Sequence, residues 1–149
     1  MPRESYYIQS DNKYKMRIND KIKELEEYLY NLSEIAPKTF EEYKNARNKF
    51  ACERLFEVIV EAIVDTAFLV IKEKKLKMPM DDKSAFDILS AERIITGQLA
   101  EKLKDAKGMR NVIAHEYGKI NDELVFYSLR EELEKDVEEF IKAVRKALK

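Results

Sequence analysis

Four polar residues close together in the sequence could carry out chemistry as a group. They are Arg110, Asn111, His115 and Tyr117, and the apolar residues around them predict a helix. The planar guanidinium of arginine matches the oxygens of a phosphate, and histidine moves protons near neutral pH. Asn111 and His115 are four residues apart and Arg110 and Tyr117 are seven apart, so each pair shares a helical face. The segment is therefore a candidate site for proton transfer beside a phosphate. The alternative is that His115 only interacts with the last carbonyl groups of its helix, as a lone histidine near a helix end usually does.

His115 is the only histidine among the 149 residues, and Cys52 is the only cysteine. A single cysteine excludes an intramolecular disulfide and a cysteine-based metal cage. A single histidine excludes a histidine-rich metal site within one chain, and a two-histidine acid–base pair would need two chains. We therefore predict no metal and no cofactor. We expect Cys52 to be a small core residue rather than a nucleophile.

The net charge of −1 hides an uneven distribution of charged residues. Between Lys102 and Lys119 there are five basic and two acidic residues, whereas between Asp122 and Glu139 there are eight acidic and two basic ones. A phosphate-bearing ligand would prefer the first stretch. The near-neutral total argues against a chain that coats nucleic acid without specificity, because such binding needs a large surplus of Lys and Arg.

The apolar residues predict an all-α protein. Three glycines and three prolines are fewer than the turns of a strand-rich domain need. Apolar residues recur at steps of three and four, which is typical of helices with one buried face. The pattern predicts a bundle of about five helices: Lys13 to Ala36, Thr39 to the lysines before Pro79, Ser84 to Thr96, Leu99 to Tyr117, and Asp122 to Leu148.

The ends of the chain and of its first helices follow local signals. Pro37 ends the first helix, and Thr39 with Glu42 forms a capping box that begins the second.

We expect residues 1–12 to be a flexible tail and 13–149 to be a single domain. No stretch has the uncharged apolar length of a membrane span, and the N-terminus lacks the apolar segment of a signal peptide. We expect a cytoplasmic protein with no membrane partner.

The polar motif resembles the signature of a known superfamily. An Arg, four residues, a His, one residue and a Tyr, with Asn directly after the Arg, is similar to the motif of HEPN proteins. It resembles in particular the HepT-like ribonuclease toxins. Arg110, Asn111, His115 and Tyr117 match that motif position by position. The resemblance covers about Lys13 to Leu148 and implies a HEPN-type antiparallel helical bundle.

This resemblance implies a metal-independent endoribonuclease, the toxin of a type VII-like toxin–antitoxin pair. Arg110 and His115 would be the catalytic residues, acting on RNA in the cleft of a homodimer. The partner would be a minimal nucleotidyltransferase antitoxin that transfers AMP onto Tyr117, and higher hetero-oligomers with it could form. The chemistry agrees, because cleavage by the RNA's own 2′-hydroxyl needs an acid and a base, and two copies of His115 supply both.

The sequence also leaves open which residues support the site and whether the chain is an enzyme. We expect Asn111 and Asp65 to support the site. Asp65 lies in an apolar part of the second helix, so its carboxylate either pairs with a nearby Arg or Lys or orients the site. The chain could instead be a non-catalytic HEPN module that binds nucleotide or nucleic acid and forms a complex with a nucleotidyltransferase, or a plain structural bundle. The complete pair of Arg110 and His115 favours the enzyme.

Overall fold

The computed structural model describes residues 2–116 and 119–149, with side chains described from Lys13 onward within those ranges. The regular structure of these residues is entirely helical, as predicted. The elements are α1 (Pro2–Ile35), α2 (Phe40–Tyr43), α3 (Ala46–Glu73), α4 (Asp82–Ala91), α5 (Gly97–His115), α6 (Asp122–Tyr127), a π turn (Ser128–Glu132) and α7 (Leu133–Ala147). Because α6, the π turn and α7 follow one another directly, the bundle has five main helices and the single turn of α2.

Helix α1 packs along α3 through the apolar stripe that its sequence predicts. Ile18, Ile22, Leu25 and Leu32 on this stripe are all buried. The helix ends at Ile35, shortly before the proline that was expected to end it. It begins at Pro2, however, and not near position 13, so the predicted start is wrong. The flexibility of residues 1–12 stays a prediction.

The predicted second helix is divided in two. The hydroxyl of Thr39 accepts a hydrogen bond from the backbone N–H of Glu42 at 3.2 Å, as expected for a helix start. The helix that begins there, α2, lasts only one turn. The side chain of Asn45 then accepts from the backbone N–H groups of Arg47 and Asn48, at 3.0 and 3.4 Å, and caps α3. The expectation of one helix from Thr39 onward is therefore wrong at this junction.

The predicted third helix is shorter than expected. Asp81 and Ser84 form a capping box at the start of α4, which ends at Ala91. A turn follows in which Arg93 adopts the left-handed conformation, with φ of 59°. Thr96 then caps α5, because its hydroxyl accepts from the backbone N–H of Leu99 at 3.0 Å. The residues up to position 96 thus reverse the chain direction and place α5 against α4.

Helix α3 is the centre of the bundle. It contacts α1, α2, α4 and α5, and α7 packs against α5 and α1. The last helical stretch keeps its predicted apolar stripe in the core despite the π turn. The buried members of that stripe are Val125, Leu129, Leu133, Val137, Phe140 and Val144. None of the helices in the described part of the chain combines the length and apolar character that a membrane crossing requires.

Candidate active site

The last turns of α5 present the polar motif at one end of the bundle. Ile113 is buried and Val112 is half-buried, so these two anchor the helix against the core. Helix α5 ends at His115, and the backbone N–H of Glu116 closes its last turn by donating to the carbonyl of Val112 at 2.9 Å. The His115 side chain is exposed. Tyr117 and Gly118 lie outside the described residues.

Arg110 is held by side chains from two helices. Its Nη2 donates to Oε1 of Glu61 on α3 at 2.7 Å, and its Nη1 donates to Oδ1 of Asn111 at 3.4 Å. Its Nε is buried and has no hydrogen-bond partner among the described residues. Only 18% of the Arg110 side chain is exposed. The guanidinium is therefore fixed against α3, and its buried Nε–H is left without an acceptor among the described residues.

Glu61 is a site residue that the motif analysis did not single out. The signal that could have found it is its spacing, because Glu61 and Asp65 are four residues apart and share a face of α3. Both line one cavity of about 430 Å³ with Arg110, which we call the Arg110 cavity. Its other lining residues are Val64, Phe68, Asp82 and Lys107.

Asp65 takes the first of its two predicted alternatives. Its side chain is 56% exposed and pairs with Lys21 of α1 at 3.2 Å. It lies beside Arg110 in the Arg110 cavity, but the carboxylate that contacts the guanidinium is that of Glu61. Roles for Asn111 and Asp65 in supporting the site stay predictions.

The basic stretch around the motif is partly neutralised by the fold. In addition to the contact between Arg110 and Glu61, its lysines form ion pairs with acidic residues of other helices. These join Lys102 to Asp136 (3.7 Å), Lys104 to Asp87 (2.9 Å) and Lys107 to Asp82 (3.0 Å). These ion pairs offset part of the positive charge of the stretch. The preference of a phosphate-bearing ligand for it stays a prediction.

Arg110 and His115 lie on different sides of α5. Five residues of a helix correspond to a rotation of about 140° and a rise of about 7.5 Å. The side-chain contacts agree, because Arg110 is directed toward α3 whereas His115 is exposed at the helix end. Within one chain the two side chains therefore point in different directions.

The remaining candidate residues add no second reactive group. Cys52 is fully buried in the core, as predicted, and burial raises the pKa of its thiol to about 11. Within residues 13–116 and 119–149, no group of three or more His, Cys, Asp or Glu side chains is placed to hold a metal ion.

Comparison with known families decides the family of this chain. The family model described as ribonuclease HepT-like matches residues 18–144. The chain belongs to the HepT-like ribonuclease family. An mRNA nuclease HepT from Shewanella oneidensis is 31% identical over 85 residues, which are 57% of this chain and 63% of that protein. A tRNA nuclease HepT from Aphanizomenon flos-aquae is 26% identical over 103 residues, which are 68% of this chain and 70% of that protein. This HepT-like chain thus aligns with slightly less than two thirds of the Shewanella protein.

Solved structures share the fold of this HepT-like chain. A toxin–antitoxin complex with AMP-PNP and a tri-AMPylated Shewanella oneidensis HEPN toxin in complex with MNT antitoxin each match with a TM-score of 0.81 and 22% identity. Both matches cover 87% of this chain, and 97% and 96% of those chains. The cytosolic protein YutE from Bacillus subtilis matches with a TM-score of 0.77 and 19% identity over 90% of both chains. The predicted HEPN-type bundle is confirmed.

Proposed function

We propose that this chain is an endoribonuclease toxin that uses Arg110 and His115. The observation that carries the proposal is the motif at the end of α5, with a half-buried, oriented guanidinium and an exposed imidazole, in a member of the HepT-like family. The relatives described as mRNA and tRNA nucleases support RNA as the substrate. Arginine binds the phosphate oxygens, and histidine moves the protons.

The proposed reaction needs no metal ion. The 2′-hydroxyl of the RNA attacks the neighbouring phosphorus, and the bond from phosphorus to the 5′-oxygen of the next nucleotide breaks. One imidazole takes the proton of the 2′-hydroxyl, and a second imidazole gives a proton to the leaving 5′-oxygen. Arg110 stabilises the negative charge that develops on the phosphate oxygens. The products are a 2′,3′-cyclic phosphate and a 5′-hydroxyl end.

The proposed working unit is a homodimer. The reaction uses two imidazoles, and each chain has one histidine. Arg110 and His115 also lie on different sides of α5 within one protomer. A two-fold axis beside the end of α5 would bring two copies of each residue into one cleft, so that the Arg110 of one chain and the His115 of the other could act on the same phosphate.

The proposed regulator is a minimal nucleotidyltransferase antitoxin that transfers AMP onto Tyr117. The similarity to an AMPylated HEPN toxin bound to MNT antitoxin supports this pairing. Tyr117 is two residues from His115, so an AMP group there would add bulk and negative charge where the RNA phosphate must bind. Hetero-oligomers of toxin and antitoxin would form in the cytoplasm, where RNA and the cytosolic relative YutE are found.

A nuclease assay on the purified protein tests the proposal. We expect RNA cleavage that survives EDTA and leaves 2′,3′-cyclic phosphate ends. His115→Ala should reduce the rate about 10²- to 10⁴-fold, which is the usual contribution of general acid–base catalysis. Because His115 is exposed, this variant should keep the thermal unfolding midpoint of the wild type. Wild-type cleavage by His115→Ala would show that the assignment is wrong, and RNA binding without cleavage would indicate the non-catalytic module.

A further inference from the structure

A second cavity lies between the first half of α3 and the last turn of α5. Its volume is about 380 Å³, near the lower end of the range of about 300–1,000 Å³ for small-molecule sites. We call it the Phe50 cavity. It adjoins the motif directly, because Val112 and Glu116, which line it, lie on either side of His115 in the sequence. A group bound here would therefore lie next to a phosphate at His115.

The walls of the Phe50 cavity suit a flat aromatic ligand. Val112, Ile113 and Ile120 supply apolar surface, and the ring of Phe50 stands beside them. Phe50 is 67% exposed, although most of the large apolar residues of this chain are buried. An exposed aromatic ring is the usual platform on which proteins stack unpaired RNA bases.

The acidic side chains of the Phe50 cavity disfavour a phosphate there. Glu53, Glu57 and Glu116 all line it. One lysine and one arginine also line the cavity, and each already forms an ion pair with a carboxylate. Lys49 pairs with Asp122 at 3.2 Å, and Arg54 contacts Glu57 at 3.5 Å.

The same carboxylates favour a ligand that donates hydrogen bonds. An ionised carboxylate only accepts hydrogen bonds. Burial raises the pKa of the Glu53 carboxyl, which shows that this group has lost part of its hydration. A donor placed against it would replace that hydration. Among RNA bases, cytosine, adenine and guanine carry an exocyclic amino group with two N–H donors, whereas uracil has carbonyl oxygens in those places and a single ring N3–H between them.

We propose that the Phe50 cavity binds one unpaired RNA base that carries an exocyclic amino group, next to the phosphate at His115. The base stacks on Phe50, and its amino group donates to Glu53 or Glu57. The site therefore selects where the RNA is cut, favouring amino-bearing bases over uracil. This inference rests on the proposed ribonuclease function.

The absence of tryptophan from the sequence allows a direct test. Phe50→Trp in a His115→Ala background provides a single fluorescent indole in a protein that leaves RNA intact. Oligocytidine and oligouridine of equal length are matched ligands, since their bases differ by the amino group. We expect oligocytidine to quench the indole and to bind at least about five-fold more tightly, the low end of a specific base contact. Tyr30→Trp is the matched control, because Tyr30 is 65% exposed and lines a different cavity between α1 and α7.

Two further variants separate stacking from hydrogen bonding. Phe50→Ala should weaken binding of both oligonucleotides about 5- to 150-fold, the range for loss of one stacked base. Glu53→Gln combined with Glu57→Gln should leave oligouridine binding unchanged and remove the preference for oligocytidine. In wild-type background, Phe50→Ala should raise KM for RNA more than it lowers kcat.

Three results would overturn the inference. The first is equal quenching by the two oligonucleotides, and the second is equal quenching at positions 50 and 30. The third is a Phe50→Ala protein that becomes monomeric with unchanged RNA affinity, which would assign the ring to an interface between two copies. Failure of the proposed function gives a different result: the wild-type protein would not cleave RNA, independently of the fluorescence change at position 50. Cleavage without a base preference would remove this inference alone.

Discussion

The contact between Arg110 and Glu61 makes a carboxylate on α3 responsible for the direction of the guanidinium. The two side chains meet at 2.7 Å, and a hydrogen bond to a charged group contributes about 1.5–3 kcal/mol. Glu61→Ala should therefore release Arg110 and lower kcat for RNA about ten-fold or more, with a smaller change in KM. Glu61→Gln keeps an acceptor oxygen and should restore much of the rate. Steady-state cleavage of a defined RNA measures both.

Asp65→Ala is the matched control for this prediction. It removes a carboxylate from the same helical face and the same cavity, but one that is 56% exposed and pairs with Lys21. We expect it to change kcat little. If Asp65→Ala and Glu61→Ala lost kcat equally, the negative charge of the cavity would determine kcat, and the positioning of Arg110 by Glu61 would not.

Burial makes the thiol of Cys52 unreactive in the folded protein. Its pKa is raised to about 11, and the thiolate is the reactive form. At pH 8 only about one molecule in a thousand would carry the thiolate, even before access through the core is considered. Labelling by a disulfide reagent should therefore be very slow in native protein and fast in urea. Rapid labelling of the native protein would show that the core around Cys52 opens readily.

The residues of the candidate site were predictable only where the signal is local. Arg110, Asn111 and His115 follow from their spacing along one helix. Glu61 does not, because it lies 49 residues from Arg110 in sequence and is brought to it by the packing of α3 against α5. For Asp65 the local signal is misleading. Its neighbours in the sequence are apolar and suggest burial, but its side chain lies on an exposed face of α3.

At the level of the helices, Asp136 of α7 is a polar group that the packing against α5 keeps from water. Burial raises the pKa of its carboxyl, Glu132 and Glu139 raise it further, and Lys102 only partly opposes them. A folded pKa above the unfolded value means that the folded state binds the proton more tightly. The stability from this group is present below the unfolded pKa and is lost as the pH rises through the folded one.

Asp136→Asn should therefore be more stable than the wild type at pH 7, because the amide avoids burying a charge. The gain in stability should disappear below about pH 4, where the wild-type carboxyl binds a proton and is neutral like the amide. Urea unfolding at the two pH values measures this. Glu138→Gln is the control, since Glu138 is exposed on the same helix. If Asp136→Asn were less stable at pH 7, the pair with Lys102 would outweigh the cost of burial.

The helices themselves were largely predictable, because each buries a stripe of apolar residues at helical spacing. The stripes of α1 and of the stretch from α6 to α7 are buried as expected. What the pattern could not show is the break between α2 and α3. Both flanks favour helix, and the break depends on Asn45, whose side chain caps the new helix instead of extending the old one. Packing holds the short helix before the break in place, because the rings of Phe40 and Tyr43 contact the ring of Phe126.

The proposed dimer makes a prediction about mixtures of inactive proteins. Arg110→Ala protein retains His115, and His115→Ala protein retains Arg110. If the two residues act across the interface, mixed dimers contain one Arg and one His in the same cleft. After exchange of subunits about half of the dimers would be mixed. Because a mixed dimer holds one imidazole instead of two, cleavage should return only in part, to a rate above that of either variant alone. Activity of the mixture, compared with each variant alone, is the measurement.

A double variant provides the control for subunit exchange. His115→Ala mixed with the protein that carries both substitutions has no histidine in any dimer, so it should stay inactive. Failure of the first mixture to exceed the single variants, with exchange verified by mass, would contradict the pairing of one Arg110 with one His115 across the interface.

The carboxylate of Glu61 also has a consequence for the meeting of two subunits. A two-fold axis that brings two guanidinium groups into one cleft brings two like charges together, and their repulsion opposes association. Each subunit carries its own counter-charge at 2.7 Å, so the two surfaces meet nearly neutral and the cleft can form before any RNA is present. When a phosphate arrives, it can bind the N–H groups of Arg110 that Glu61 leaves free, so the guanidinium keeps its direction. In the proposed dimer, each Glu61 thus lowers the repulsion between the two guanidinium groups both before and after RNA binds.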